Sequence, residues 1–270
     1  MAFCSAHAPM MSADPGSAPQ EQAARFFGAL DSVRTALASS GAQALVMLSG
    51  EHFTNFFLDN LPQIAVGLGE SHLGPVERWL GIDEVAVPGH PGLAHAVLAS
   101  TVERGYQPAL SHRLVLDHGF MTVYDRVVAG TPLPVVPIVM NCTTPPLMTL
   151  RQSYDFGGAL GEAIRAYEGL ERVALCGAGG LSHFVGEPRV GDIDEEFDRW
   201  FLDRLEAGCP DDLLDMPNDE LMTAGNGTGE VRAWVAVAGA MAGSRTRSLA
   251  YEPVYEWITG MGVVVPEPSA

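Results

Sequence analysis

"RVALCGAGGLSHF", residues 172–184, decides how this chain reads. The run "VALC" is short, apolar and without alternation, as in a strand buried on both faces. Glycines at 177, 179 and 180 then open it into a loop. Working outward, "QALVMLSG" at 43–50 and "PVVPIVMN" at 134–141 repeat the pattern and predict two more buried strands. Helical spacing appears at 21–39, 91–104, 156–168 and 192–206, with an Ala-rich helix at 230–243, while "MMSADPGSAPQ" at 10–20 reads as a loop. Strands alternating with helices predict an α/β fold, one domain over residues 1–270, with a central mostly parallel sheet flanked by helices. In such a sheet function collects at the carboxyl ends of the strands. The loop glycines are expected to let backbone come close to a substrate.

Composition narrows the function. The 270 residues carry 15 basic and 33 acidic side chains, a net charge of −18. Nucleic acid and anionic membranes both need clustered cations, so neither is expected as a partner. Every basic side chain is Arg, which removes Schiff-base chemistry and a P-loop lysine. No apolar run approaches the ~20 residues that span a bilayer. The start "MAFCSAHAPMM" lacks a basic region and a long apolar core, so a cytoplasmic location is expected. Cys4, Cys142, Cys176 and Cys209 form no CxxC pair and read as reduced, buried thiols.

Histidine placement points to chemistry. His7 follows "AFCSA", His52 follows "ALVMLSGE", His118 follows "RLVLD" and His183 follows "VALCGAGGLS". Each alone reads better as a hydrogen-bonded structural histidine. Four at similar strand exits would converge on one rim of the sheet. His72, His90, His95 and His112 lie in loop or helix patterns and read as surface or structural residues. Neutral imidazoles bind divalent metals, and two His with one carboxylate leave positions open on non-haem Fe(II). The candidate carboxylate is Glu230 in "GNGTGEVRAW", although a Glu in a first helical turn also answers the helix dipole.

At this point a resemblance emerges. "SAHAP" (5–9), "LDHG" (116–119) and "GGLSH" (179–183), followed by "GEPRVGDIDEEFDRWFLDRLEAG" (186–208), resemble the class III extradiol ring-cleaving dioxygenases. The similarity covers nearly the whole chain. "GHPGLAHAV" (89–97) and "MNCTTPP" (140–146) resemble the protocatechuate 4,5-dioxygenase β-subunits. "HFTNFFLDNLPQIAVGLG" (52–69) and "EPVYEWITGMG" (252–262) resemble the 2,3-dihydroxyphenylpropionate 1,2-dioxygenases.

The resemblance implies an Fe(II) cofactor held by His7, His52 and Glu230. It implies His183 as an acid and base off the metal, and His118 as a second proton-transfer residue. The implied partners are a catecholic substrate and O2, with a protocatechuate-, gallate- or dihydroxyphenylpropionate-like phenolic acid opened to a hydroxymuconic-type semialdehyde. Tyr124, Arg189 and Thr228 are the candidates for lining the substrate pocket, with Arg189 at least as readable as a structural ion pair. A homo-oligomer is expected, with or without a small accessory subunit. One departure stands out: Glu51 occupies the position before His52 where the family often has Asp, so support of that ligand is expected to differ. Rival readings are cleavage of an aminophenol or dihydroxyphenylalanine, a non-catalytic binding or regulatory protein of the same fold, and a zinc hydrolase using the same ligands.

Overall fold

The structure is a computed structural model that describes residues 1–128, 132–242 and 244–267. Its strands, in chain order, are β1 (Ala2–Ser5), β2 (Ala44–Gly50), β3 (Ile64–Gly67), β4 (Ser71–Gly74), β5 (Val85–Pro88), β6 (Ala109–Ser111), β7 (Val135–Met140), β8 (Val173–Ala178), β9 (Thr246–Val254) and β10 (Thr259–Pro266). The helices are α1 (Met10–Ala13), α2 (Gln20–Ser40), α3 (Pro91–Glu103), α4 (His118–Val128), α5 (Leu150–Ala166), α6 (Glu195–Glu206), α7 (Asp211–Leu214), α8 (Asn218–Leu221) and α9 (Val231–Ala240).

Strand β8 sits at the centre of an eight-stranded sheet ordered β6-β3-β7-β2-β8-β1-β10-β9. It runs parallel to β1 and β2, and β2 runs parallel to β7. The three apolar runs and "AFCS" therefore become four adjacent parallel strands. Alternate residues of each feed opposite layers. Val46, Leu48, Ile138 and Leu175 face a core built with Phe156 and Leu160 of α5 and Val231 and Trp234 of α9. Leu45, Met47, Val139 and Cys176 face a core built with Phe26 and Leu30 of α2 and Phe120 and Val123 of α4. Burial on both faces is why these strands lack polar alternation. The flanks differ: β3 is antiparallel to β7, and the hairpin β9–β10 is antiparallel to β1.

Several boundaries move for local reasons. The helix expected at 156–168 begins at Leu150, because Thr149 and Gln152 form a reciprocal capping box. The helix expected from 192 begins at Glu195, where Asp194 accepts from the Phe197 N–H. The 230–243 helix is a 3₁₀ turn, Thr228–Glu230, leading into α9, and its expected end at 243 lies outside the described residues. The expected loop 10–20 contains α1 and a 3₁₀ turn at Pro15–Ser17. "RLVLD" is not a strand: Leu116 N–H donates to Leu73 and Val115 bonds the Asn55 side chain, so the segment's backbone bonds go to different partners. His118 consequently opens a helix instead of leaving a strand. His72 lies buried on β4, its Nδ1 2.7 Å from the Leu114 carbonyl. All four cysteines are free and buried. Among the described residues, no helix is long and apolar enough to cross a membrane.

Helices α5 and α9 pack backbone to backbone. A Cβ on Gly157 would collide with the Ala236 carbonyl, and one on Gly239 with the Tyr154 carbonyl. Gly157→Ala should therefore cost about 1–3 kcal/mol of overpacking strain, against the ~1 kcal/mol by which Ala favours a helix. Urea denaturation should give a lower midpoint than the parent protein.

Candidate active site

Four segments meet at the carboxyl end of the parallel strands. His7 follows β1, His52 follows β2, the Gly179–His183 loop follows β8, and Glu230 closes the turn before α9. They surround a cavity of about 360 Å³, also lined by His118 and Thr143. Glu230 is the centre of the group. Its Oε2 lies 2.9 Å from His7 Nε2 and accepts from the Gly180 N–H at 2.6 Å, and its Oε1 lies 3.0 Å from His52 Nε2. His183 Nε2 is 4.0 Å from the same Oε1. Burial alone would raise the Glu230 carboxyl, but His7, His52 and His183 hold it well below the usual carboxylate range.

Each imidazole has an orienting partner. His52 Nδ1 is 3.0 Å from Asp117 Oδ2, and Asp117 Oδ1 accepts from the Gly119 N–H. Burial disfavours a charged His52, but Asp117 and Glu230 outweigh it and hold its pKa well above the ordinary value. The same pairing, against burial, draws Asp117 down to about 2. Burial lowers the His7 pKa despite the pull of Glu230, which favours the neutral ring that a metal requires. His118 Nδ1 is 2.7 Å from Glu77 Oε1. His183 Nδ1 donates to the Leu181 carbonyl at 2.8 Å, so in the neutral ring Nε2 is the bare nitrogen and faces Glu230.

The residues fit a divalent metal. Two donors each ~2.1 Å from one ion, at about a right angle, lie about 3.0 Å apart. The Glu230 oxygens stand at 2.9 and 3.0 Å from His7 and His52 Nε2. One nitrogen each of His7, His52 and His118 also lie within 4.8 Å of one another. The donor set therefore includes a third imidazole beside the two-histidine, one-carboxylate group.

Of the glycines in 177–180, Gly180 brings its backbone to the cavity wall, whereas Gly177 and Gly179 do other work. A Cβ on Gly177 would lie 2.7 Å from the Ala233 carbonyl, and one on Gly179 2.7 Å from the Glu230 carbonyl, so these two admit α9. Gly180 and Gly227 instead clear room for the His183 ring, which a Cβ at either position would strike. Glu51 does not support His52. Its Oε1 accepts from the Thr54 and Asn55 N–H groups at 2.6 and 3.0 Å, and Asp117 supports the ring instead.

The three expected pocket-lining residues are not in the cavity wall. Tyr124 is six residues after His118, about 600° around an α-helix. It therefore faces the core, where its hydroxyl donates to the Leu133 carbonyl. Arg189 stacks on Phe184 and pairs with Asp192 at the surface. Thr228 lies two residues before Glu230 on a 3₁₀ turn, about 240° away, and is fully buried. Residue reasoning missed Asp117, although it stands in "LDHG" beside His118; Glu77 and Asp198 gave no signal, because their partners are distant in sequence.

The chain matches the family described as "Catalytic LigB subunit of aromatic ring-opening dioxygenase" over residues 1–263. It belongs to that family. It is an extradiol dioxygenase of class III. A 2,3-dihydroxyphenylpropionate/2,3-dihydroxicinnamic acid 1,2-dioxygenase from Paraburkholderia xenovorans (strain LB400) is 28% identical, with 99% of this chain and 97% of the relative covered. One of the same name from Escherichia coli O81 (strain ED1a) is 27% identical, with 96% of each covered. The crystal structure of an uncharacterized protein from Escherichia coli K12 shares the fold, with a TM-score of 0.65, 13% identity and 98% of each chain covered.

Asp198 anchors the loop carrying His183. On α6, it accepts from the Ser182 N–H (2.7 Å), the Ser182 hydroxyl (2.9 Å) and the Tyr251 hydroxyl (2.8 Å). Burial outweighs these donors and pushes its carboxyl up to about 6. That lies above the ~3.9 of an unfolded chain. The stability linked to its proton is therefore full below about pH 4 and lost as pH rises through about 6. The difference in unfolding free energy between wild type and Asp198→Asn should fall by about 2–3 kcal/mol between pH 4 and 7, measured by urea denaturation across that range.

Proposed function

We propose that this protein performs Fe(II)-dependent extradiol cleavage of a catechol with O2, yielding a hydroxymuconic-type semialdehyde. The observation that carries the reading is the Glu230 carboxylate spanning His7 Nε2 and His52 Nε2 in a cavity that also holds His118 and His183. The relatives named for 2,3-dihydroxyphenylpropionate support a catechol as substrate. His7, His52 and Glu230 would hold the iron. Held there, Fe(II) would supply the redox-active centre that lets a catechol react with O2.

The remaining steps fall to side chains. His183 Nε2 is free to take the catechol proton, because Nδ1–H is committed to Leu181. An imidazole that has taken a proton can return it later in the same cycle. His118, held through Nδ1 by Glu77, offers its other nitrogen as a second proton carrier. Asp117 keeps His52 Nε2 aimed at Glu230.

Alanine at His7, His52 or Glu230 should remove bound iron and O2 uptake together. His183→Ala should retain one iron per chain and lose about 10²–10⁴-fold in turnover. Metal analysis paired with O2-electrode assays on anaerobically loaded protein separates the two classes. Full turnover by His183→Ala would remove its assigned role.

A further inference from the structure

Among the described residues, three non-glycine residues have a left-handed backbone: Phe53 (φ 55°), Cys209 (φ 57°) and Ile258 (φ 54°). Two of the three, Phe53 and Ile258, line the active-site cavity. This conformation costs a side chain with a Cβ ~1–2 kcal/mol, and a β-branched residue such as Ile is the least suited to it. Such strain persists only where the surroundings enforce it, and it clusters where a protein uses it.

The enforcement is visible at both positions. Glu51 clamps the Thr54 and Asn55 N–H groups, and Asn55 exchanges two hydrogen bonds with the Val115 backbone. That fixes the turn which swings Phe53 into the cavity wall. At Ile258, the preceding Trp257 is fully buried, the Ile258 N–H donates to the Tyr255 carbonyl, and β10 begins one residue later. Val185, more than half exposed at the mouth, also lines the cavity.

Among the described residues no Arg lines the cavity, and the chain has no Lys. The wall's carboxylates are Glu51 and Glu230, and its basic groups are four imidazoles. The flanking imidazoles are engaged: His52 by Asp117 and Glu230, His118 by Glu77, and His183 by the Leu181 carbonyl. A carboxylate carried by the ring would lie against the apolar side chains of Phe53, Val185 and Ile258 with no guanidinium to pair it.

We propose that Phe53, Val185 and Ile258 form the subsite for the ring substituent, and that it selects an uncharged apolar group, such as a short alkyl chain, over a carboxylate. This rests on the ring-cleavage reading above and departs from the phenolic-acid substrate expected from sequence.

The test uses two catechols of similar shape, 3-propylcatechol and 3-(2,3-dihydroxyphenyl)propionate. Protein loaded with Fe(II) under anaerobic conditions is titrated with each, and dissociation constants are read by calorimetry. Propylcatechol should bind about tenfold or more tightly, the scale of ~1.4 kcal/mol for an unpaired carboxylate. Val185→Arg, at a half-exposed position, should improve binding of the acid about tenfold. Equal or tighter binding of the acid by the parent protein overturns the subsite, as does the absence of binding by either catechol. Admitting O2 separates the two readings. Preference for the acid with O2 uptake overturns the subsite and leaves ring cleavage standing. Preference for propylcatechol without O2 uptake supports the subsite and overturns ring cleavage.

Discussion

The structure depends on satisfying one buried carboxylate. Glu230 is almost inaccessible to solvent, and an unpaired carboxylate there would cost several kcal/mol. It is paired from three directions, by His7 after β1, His52 after β2 and the Gly180 N–H after β8. Those three strands are neighbours in the sheet, so the pairing is possible only in this topology and register. Helix α9 must also stand very close to β8 to present Glu230. Gly177 and Gly179 give that clearance, and Gly157 and Gly239 give it on the α5 side. Close helix packing and site geometry are thus one constraint seen from two sides.

Around that centre carboxylates hold the histidines in place. Asp117, Glu77 and Asp198 each hold a histidine or the loop that bears one. The pairs differ in electrostatic character. Asp117 faces an imidazole and is drawn far below its ordinary pKa, whereas Asp198 faces only neutral donors and rises. Part of the large negative charge therefore lies inside the molecule as oriented partners. An acid that receives two or three hydrogen bonds is a rigid support, and a support of this kind decides which ring nitrogen points into the cavity.

The central sheet was legible because burial on both faces leaves an unmistakable run of apolar residues, as in "VALC" and "ALVML". The convergence of His7, His52, His183 and Glu230 was legible for a related reason: parallel strands put their exits on one rim. Other features had no local signature. The β9–β10 hairpin and the short strands β3 and β6 lie towards the margins, where pairing partners and not apolar runs define a strand. "RLVLD" misleads because its apolar residues serve a loop packed under β4. Tyr124 and Thr228 were judged by nearness in sequence, but helical rotation turns both away from the cavity. Glu77 lies 41 residues before His118, a distance across which no sequence pattern reaches.

Residues 51–53 carry three parts of the cavity in consecutive positions. His52 meets Glu230, Glu51 clamps the turn, and Phe53 is the strained residue that the clamp holds in the wall. The backbone that aims His52 also aims Phe53, so neither is free to move without the other. Asp117 supports His52, while Glu51 caps the Thr54 and Asn55 N–H groups, so the cavity has a fixed wall at the cost of backbone strain at Phe53.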